Sequence, residues 1–149
     1  MESLLNDEYF MRLALNEAGK ALEKGEIPIG CVIVSNDLVI AKAHNLTETL
    51  QDVTAHAEMQ AFTAAAEYLG AKYLKDCTLY VTLEPCIMCL GASYWTQIER
   101  IVYGATDKKH VYPVDKTVFL HPKTTLTGGV LEKECTEILS AFFQQKRNE

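Results

Sequence analysis

Apolar residues recur at helical spacing through Tyr9-Phe10, Leu13-Ala14, Glu17-Ala18 and Ala21-Leu22, which predicts a first helix. Asn6 or Asp7 suits its N-cap, and Gly25 its end. Beyond the Ile27-Pro28-Ile29-Gly30 loop the pattern changes. Cys31–Val34 and Leu38–Ala41 are short β-branched runs joined by Ser35-Asn36-Asp37, which reads as a hairpin. Asn45 to Asp52 is polar and reads as a loop. From Ala55 to Leu69 the alanines, Met59, Phe62 and Leu69 predict a second helix closed by Gly70. Thr78–Leu83 reads as a third strand. Pro85 then opens a third helix running to about Gln97, since a missing N–H costs nothing in a first turn. Arg100–Gly104 is a fourth strand. A loop with Pro113, Pro122 and Gly128-Gly129 follows, with a short irregular helix expected near Val118–Leu120. Glu132 to Lys146 forms the closing helix, its apolar face made by Leu131, Cys135, Ile138-Leu139 and Phe142-Phe143. Strands alternating with helices predict a three-layer α/β fold, one domain over 1–149.

Composition sets the class. At 149 residues, 48% apolar and 23% charged, the chain has the balance of an ordinary globular protein. Met1-Glu2-Ser3 carries no basic region, and no apolar run reaches the length of a membrane span. A cytoplasmic protein with no membrane partner is expected. The net charge of −6 argues against a nucleic-acid partner, but the distribution of that charge weakens the objection. Up to Gly70 there are four basic against eleven acidic residues; after it there are ten against nine. Five cysteines cannot all pair. Cys86 and Cys89 have the spacing of a metal or redox site, while Cys31, Cys77 and Cys135 sit in apolar surroundings and read as buried thiols.

The candidate chemistry is split between His56-Ala57-Glu58 and Pro85-Cys86-Ile87-Met88-Cys89. One imidazole and two thiolates supply three zinc ligands, leaving one tetrahedral corner for water, and Glu58 is free to move protons. Two helix starts favour this set, because unpaired N–H groups and the helix dipole stabilise thiolates there. A redox pair would not require His56 or Glu58. A closed zinc finger would need a fourth ligand, and His44, His110 and His121 show no partner spacing. The pattern is that of hydrolytic deamination of a base.

Further segments carry a resemblance. They are Gly25-Glu26-Ile27-Pro28-Ile29-Gly30, Asn45, Thr54–Glu58, Thr82–Cys89, Arg100–Ala105 and the Phe142-Phe143 helix. With them the chain resembles the cytidine deaminase superfamily, most closely the bacterial tRNA adenosine deaminases. That resemblance implies a five-stranded mixed sheet between helices, one Zn²⁺ per subunit and a homodimer. It also implies that the wobble adenosine of a tRNA anticodon stem-loop is deaminated to inosine. Asn45, an ordinary turn residue on its own reading, would then hydrogen-bond the flipped base. The backbone near Ala57 and the side chains of Ile29 and Leu83 would shape the pocket. Two segments depart from the relatives' usual pattern: Thr106–Tyr112, and a short Gln144–Glu149 terminus without a longer basic tail. Lys108, Lys109 and Arg147 are the candidate RNA contacts there. The competing reading is a deaminase of a free base or nucleoside, guanine or cytosine in type; a non-catalytic zinc module is a third.

Overall fold

The computed structural model describes residues 5–149, and the Met1-Glu2-Ser3 start lies outside them. Helix α1 (Asp7–Glu23) begins where expected, with Asn6 Oδ1 accepting the Tyr9 N–H at 2.9 Å. Strands β1 (Gly30–Ser35) and β2 (Leu38–His44) form the hairpin. Asn36 and Asp37 turn it at φ 51° and 62°, the left-handed pair that a two-residue hairpin turn requires. Strands β3 (Cys77–Leu83), β4 (Arg100–Ala105) and β5 (Thr125–Thr127) complete a sheet of order β2-β1-β3-β4-β5. β1 is antiparallel to β2 and β3, whereas β3, β4 and β5 run parallel, so the sheet is mixed. Parallel neighbours need a crossover, which helix α4 (Ile87–Thr96) supplies between β3 and β4.

Alternation along the strands builds two cores. Cys31 and Ile33 join Leu79, Val81 and Ile101 on one face, packed with α3 (Ala57–Leu69) and Leu90 of α4. Val32 and Val34 join Tyr80 and Val102 on the other, with residues of α1 and α5 (Glu132–Arg147). Helices on both faces make the expected three-layer α/β/α sandwich. They also explain why the strands read as unbroken apolar runs. Each fully buried Ile, Leu or Val here contributes about 1.5–3 kcal/mol. Among the described residues, no helix is long and apolar enough to cross a membrane.

At Gly30 the backbone of α1 lies directly against the sheet. A Cβ at this position would fall on the Ala14 carbonyl oxygen and the Ala18 nitrogen, backbone atoms that cannot rotate away. Gly30→Ala is expected to cost about 3 kcal/mol by overpacking, lowering the thermal midpoint by roughly 6–12 °C. Circular dichroism melting checks this, and an unchanged midpoint would show that α1 can shift freely.

Asp7 ties α1 to the sheet. Its carboxylate accepts two hydrogen bonds from the Arg100 guanidinium at 2.8 and 2.7 Å, and Tyr80 donates a third at 2.8 Å. The Arg100 hydrogen bond holds the Asp7 carboxyl below the usual carboxylate range. A group with a depressed folded pKa stabilises the protein above its unfolded value and loses that contribution as the pH falls. The extra thermal stability of the native chain over Asp7→Asn is therefore expected to be full at neutral pH and to shrink below about pH 4. Melting both proteins from pH 7 down to pH 2 tests it.

Three elements differ from the sequence reading. The polar Asn45–Asp52 loop contains a single helical turn, α2 (Thr47–Leu50), ended by Gln51 in the left-handed conformation at φ 50°. β5 lies inside the expected loop, pairing with Arg100–Val102 of β4; three residues are too few to show a period. The third helix starts at Ile87 rather than Pro85, because Cys86 is extended (φ −75°, ψ 172°) and occupies the N-cap. The irregular helix near Val118 is a 3₁₀ turn over Lys116–Phe119.

Candidate active site

Two helix starts meet at the end of the hairpin. His56 is the N-cap of α3, with extended backbone (φ −68°, ψ 154°), and Cys86 holds the same place on α4. Neither side chain caps its own helix. Both turn toward each other instead: His56 Nδ1 lies 3.6 Å from Cys86 Sγ and 3.6 Å from Cys89 Sγ. Among the described residues this is the one group of three or more His, Cys, Asp or Glu whose ligand atoms converge, all within 4.8 Å of one another. A tetrahedral zinc holding sulfur at about 2.3 Å and nitrogen at about 2.05 Å separates them by about 3.6 Å, so the spacing fits zinc. Thiolate and imidazole donors suit zinc as well.

Without metal, the three donors share their protons unevenly. A hydrogen bond from Cys89 holds the Cys86 thiol down at about 4, so Cys86 is a thiolate at neutral pH. The same hydrogen bond pushes Cys89 up, and the thiolate of Cys86 raises His56. Glu58, in the first turn of α3, is 4% exposed. Burial pushes its carboxyl up to about 6, against the pull of its own backbone N–H. That value lies close enough to neutrality for a group that takes and returns a proton.

These residues border a cavity of about 590 Å³. Ile29, Asn45, His56, Ala57, Glu58 and Leu83 line it together with Cys86, and Cys89 lies buried behind them. The structure thus brings together every site residue expected from the sequence. Lys108, Lys109 and Arg147 line the same cavity at its outer side, with Phe143 of α5. The remaining thiols, Cys31, Cys77 and Cys135, are free and buried, as expected.

Supporting residues are not legible in the sequence. Gln60 Nε2 donates to the carbonyls of His44 (2.8 Å) and Ala55 (3.2 Å), stapling the end of β2 to the start of α3. Glu84 Oε1 accepts the Asp107 N–H at 3.0 Å, while its Oε2 pairs with Lys116 at 3.1 Å. Lys116 also donates to the Pro85 carbonyl at 3.1 Å. Glu84 therefore holds both ends of the Asp107–Lys116 loop, which carries Lys108 and Lys109. Glutamate before a proline and lysine in a loop carry no periodic signal, so only their meeting in space reveals the clamp.

Residues 4–105 match the family model for the cytidine and deoxycytidylate deaminase zinc-binding region. The chain belongs to this family. Its matched region takes in His56, Glu58, Cys86 and Cys89, and the cofactor of this deaminase domain is zinc. The chain is 46% identical to the tRNA-specific adenosine deaminase of Aquifex aeolicus strain VF5, over 97% of this chain and 98% of that protein. A solved structure from work on A-to-I editing by tRNA:A34 deaminases at the wobble position of transfer RNA is 42% identical. It superposes with a TM-score of 0.79 over 88% of this chain and 99% of that one. The guanine deaminase structure from Bacillus subtilis is 43% identical with a TM-score of 0.65, over 68% of this deaminase and 65% of that chain.

Proposed function

We propose that this deaminase is a zinc enzyme converting adenosine to inosine at the wobble position of tRNA, acting on the anticodon stem-loop in the cytoplasm. The observation that carries the chemistry is the convergence of His56, Cys86 and Cys89 on one point beside a buried Glu58, inside the cavity that Asn45 lines. The choice of tRNA rests on likeness over nearly the whole length of tRNA-specific relatives. Lys108, Lys109 and Arg147 support it, because phosphates need cations and these three border the cavity.

In this reading His56 Nδ1, Cys86 Sγ and Cys89 Sγ would hold the zinc. When bound, zinc supplies the Lewis acidity that makes water a nucleophile near neutral pH. Glu58 accepts a first proton as water attacks and delivers it to the ring nitrogen next to the amine-bearing carbon. It then takes the second proton from the added oxygen and passes it to the amine, whose C–N bond breaks as the carbonyl forms. The net change is amine plus water to carbonyl plus ammonia, with Glu58 returned to its starting state. Asn45 donates a hydrogen bond to the base. The Ala57 N–H, at the first helical position of α3, has no partner within its helix, and Ala57 lines the same cavity. Ile29 and Leu83 give the flat apolar contacts that a flipped base needs.

The second reading is a guanine deaminase. It is favoured by the 43% identity to the Bacillus subtilis enzyme and by the net charge of −6, since a neutral base needs no basic groove. That likeness spans two-thirds of the chain rather than all of it. Ammonia release from a panel of bases, nucleosides and an anticodon stem-loop separates the two. Turnover of the stem-loop that falls steeply with salt is expected. Robust turnover of guanine with none on the stem-loop would sink the tRNA reading.

The proposed enzyme is a homodimer. Ile87, Tyr94 and Trp95 of α4 and Val118 of the adjoining 3₁₀ turn are exposed, Trp95 to 76% and Val118 to 67%. An apolar cluster of this kind is what a second copy would bury. Trp95→Glu is expected to weaken the dimer about 30-fold or more, the effect of losing an aromatic anchor. Sedimentation across a concentration series checks this, and an unchanged dimer places the interface elsewhere.

A further inference from the structure

Glu26 is a charged side chain in an unusual place. It sits between α1 and β1, wholly buried at 0% exposure, and among the described residues no cation pairs with it. Burying an unpaired carboxylate costs several kcal/mol unless hydrogen bonds replace its water. Those bonds come from a distant part of the chain. Oε1 accepts the Glu48 N–H at 3.0 Å, and Oε2 accepts the Thr49 N–H at 2.6 Å. Burial pushes the carboxyl up, but the bonds from Thr49 and Glu48 outweigh it and leave Glu26 below the usual range. The side chain is therefore an anion that holds two backbone donors.

Those donors belong to α2, one turn of helix that buries no residue of its own and has no side-chain cap at Leu46. A single turn cannot stand alone in water. Glu26 supplies the missing cap from outside, at the end of the helix that favours negative charge.

What this turn holds is Asn45. The Thr47 N–H, one residue before the anchored pair, points to Asn45 Oδ1 at 3.4 Å. The Asn45 N–H donates to the Ile29 carbonyl at 3.0 Å, three residues beyond Glu26. Asn45 is 4% exposed and lines the cavity, and among the described residues its Nδ2 has no partner. With Oδ1 turned to Thr47, the amide nitrogen is the end left for a ligand.

We propose that Glu26 is the positioning residue for Asn45: its carboxylate fixes α2, and the fixed Thr47 N–H orients the Asn45 carboxamide so that Nδ2 meets the base. This rests on the reading of Asn45 as a base-binding group, and it holds whichever base is bound. A role in folding alone would be served by an apolar side chain of similar size. The carboxylate instead gives each of the two N–H groups its own acceptor oxygen, which an apolar side chain cannot do, and through them sets which end of the amide faces the cavity.

The test is a double-mutant cycle of Glu26→Gln and Asn45→Ala, read on zinc-loaded protein with whichever substrate the native chain deaminates. Gln keeps the volume but turns an NH₂ against one of the two donors. KM is expected to rise about tenfold in Glu26→Gln with kcat within about threefold, the loss of one well-placed hydrogen bond. Amide exchange at Glu48 and Thr49 should quicken. In the Asn45→Ala background, Glu26→Gln should cost no more than about twofold further. A kcat/KM unchanged by Glu26→Gln overturns the proposal, as does a loss that multiplies fully onto that of Asn45→Ala. If Glu26→Gln does not fold, Glu26→Asp enters the same cycle with its charge kept. A native chain active on guanine alone overturns the tRNA reading and leaves this cycle to decide Glu26 separately.

Discussion

Glu58→Gln is expected to lower turnover about a thousandfold while the protein keeps about one zinc per chain. Gln has the shape of Glu and the same place in the first turn of α3, so the packing around it should hold. What it lacks is a group that can accept a proton. In the proposed reaction Glu58 handles every proton moved, and general acid–base groups contribute about 10²–10⁴ in rate. The native environment is suited to this work: burial brings the carboxyl up to about 6. Steady-state deamination beside metal analysis of the same sample gives the answer. A variant with full zinc and a rate within tenfold of native would remove Glu58 from the chemistry and favour a zinc module without catalysis.

Cys86→Ser is expected to fail in the opposite order, losing zinc first and activity as a consequence. A serine hydroxyl does not ionise near neutral pH, whereas Cys86 is already a thiolate, held down at about 4 by the Cys89 hydrogen bond. Zinc content after mild chelation should fall below about a tenth per chain, against about one in the native protein and in Glu58→Gln. Metal that binds only the folded site also stabilises it, by about 3 kcal/mol at a hundredfold excess over its dissociation constant. The thermal midpoint of Cys86→Ser should therefore sit about 10 °C below native. The native protein stripped of metal should melt beside it. Full zinc and full rate in Cys86→Ser would show that Cys86 is not a ligand. Together the two variants separate holding the metal from moving the proton.

Local sequence carries the chemistry well and its support poorly. His56, Glu58, Cys86 and Cys89 stand out because their types and spacings are rare together. The helix and strand order follows from periods of 3.6 and 2, which the cores on the two faces of the sheet impose. β5 and α2 leave no such mark, because three and four residues show no period. Each exists through a partner elsewhere: β4 for one, Glu26 for the other. The start of α4 lies later than Pro85 for a related reason. Proline permits a first turn, but Cys86 is extended and its sulfur lies within 3.6 Å of His56.

Residue identity alone therefore pointed to the candidate donor set, the proposed proton carrier and the order of helices and strands. These depend on side-chain chemistry and on neighbours three or four positions away. Packing decided the rest. It brought His56 within 3.6 Å of sulfurs thirty and thirty-three residues along the chain. It buried Glu58, gave Glu84 both ends of a loop to hold, and set the Glu26 anion beneath the turn that follows Asn45. Each of these is a meeting of groups far apart in sequence. No local pattern records such a meeting, because its cause is the closing of the sheet and helices around one another.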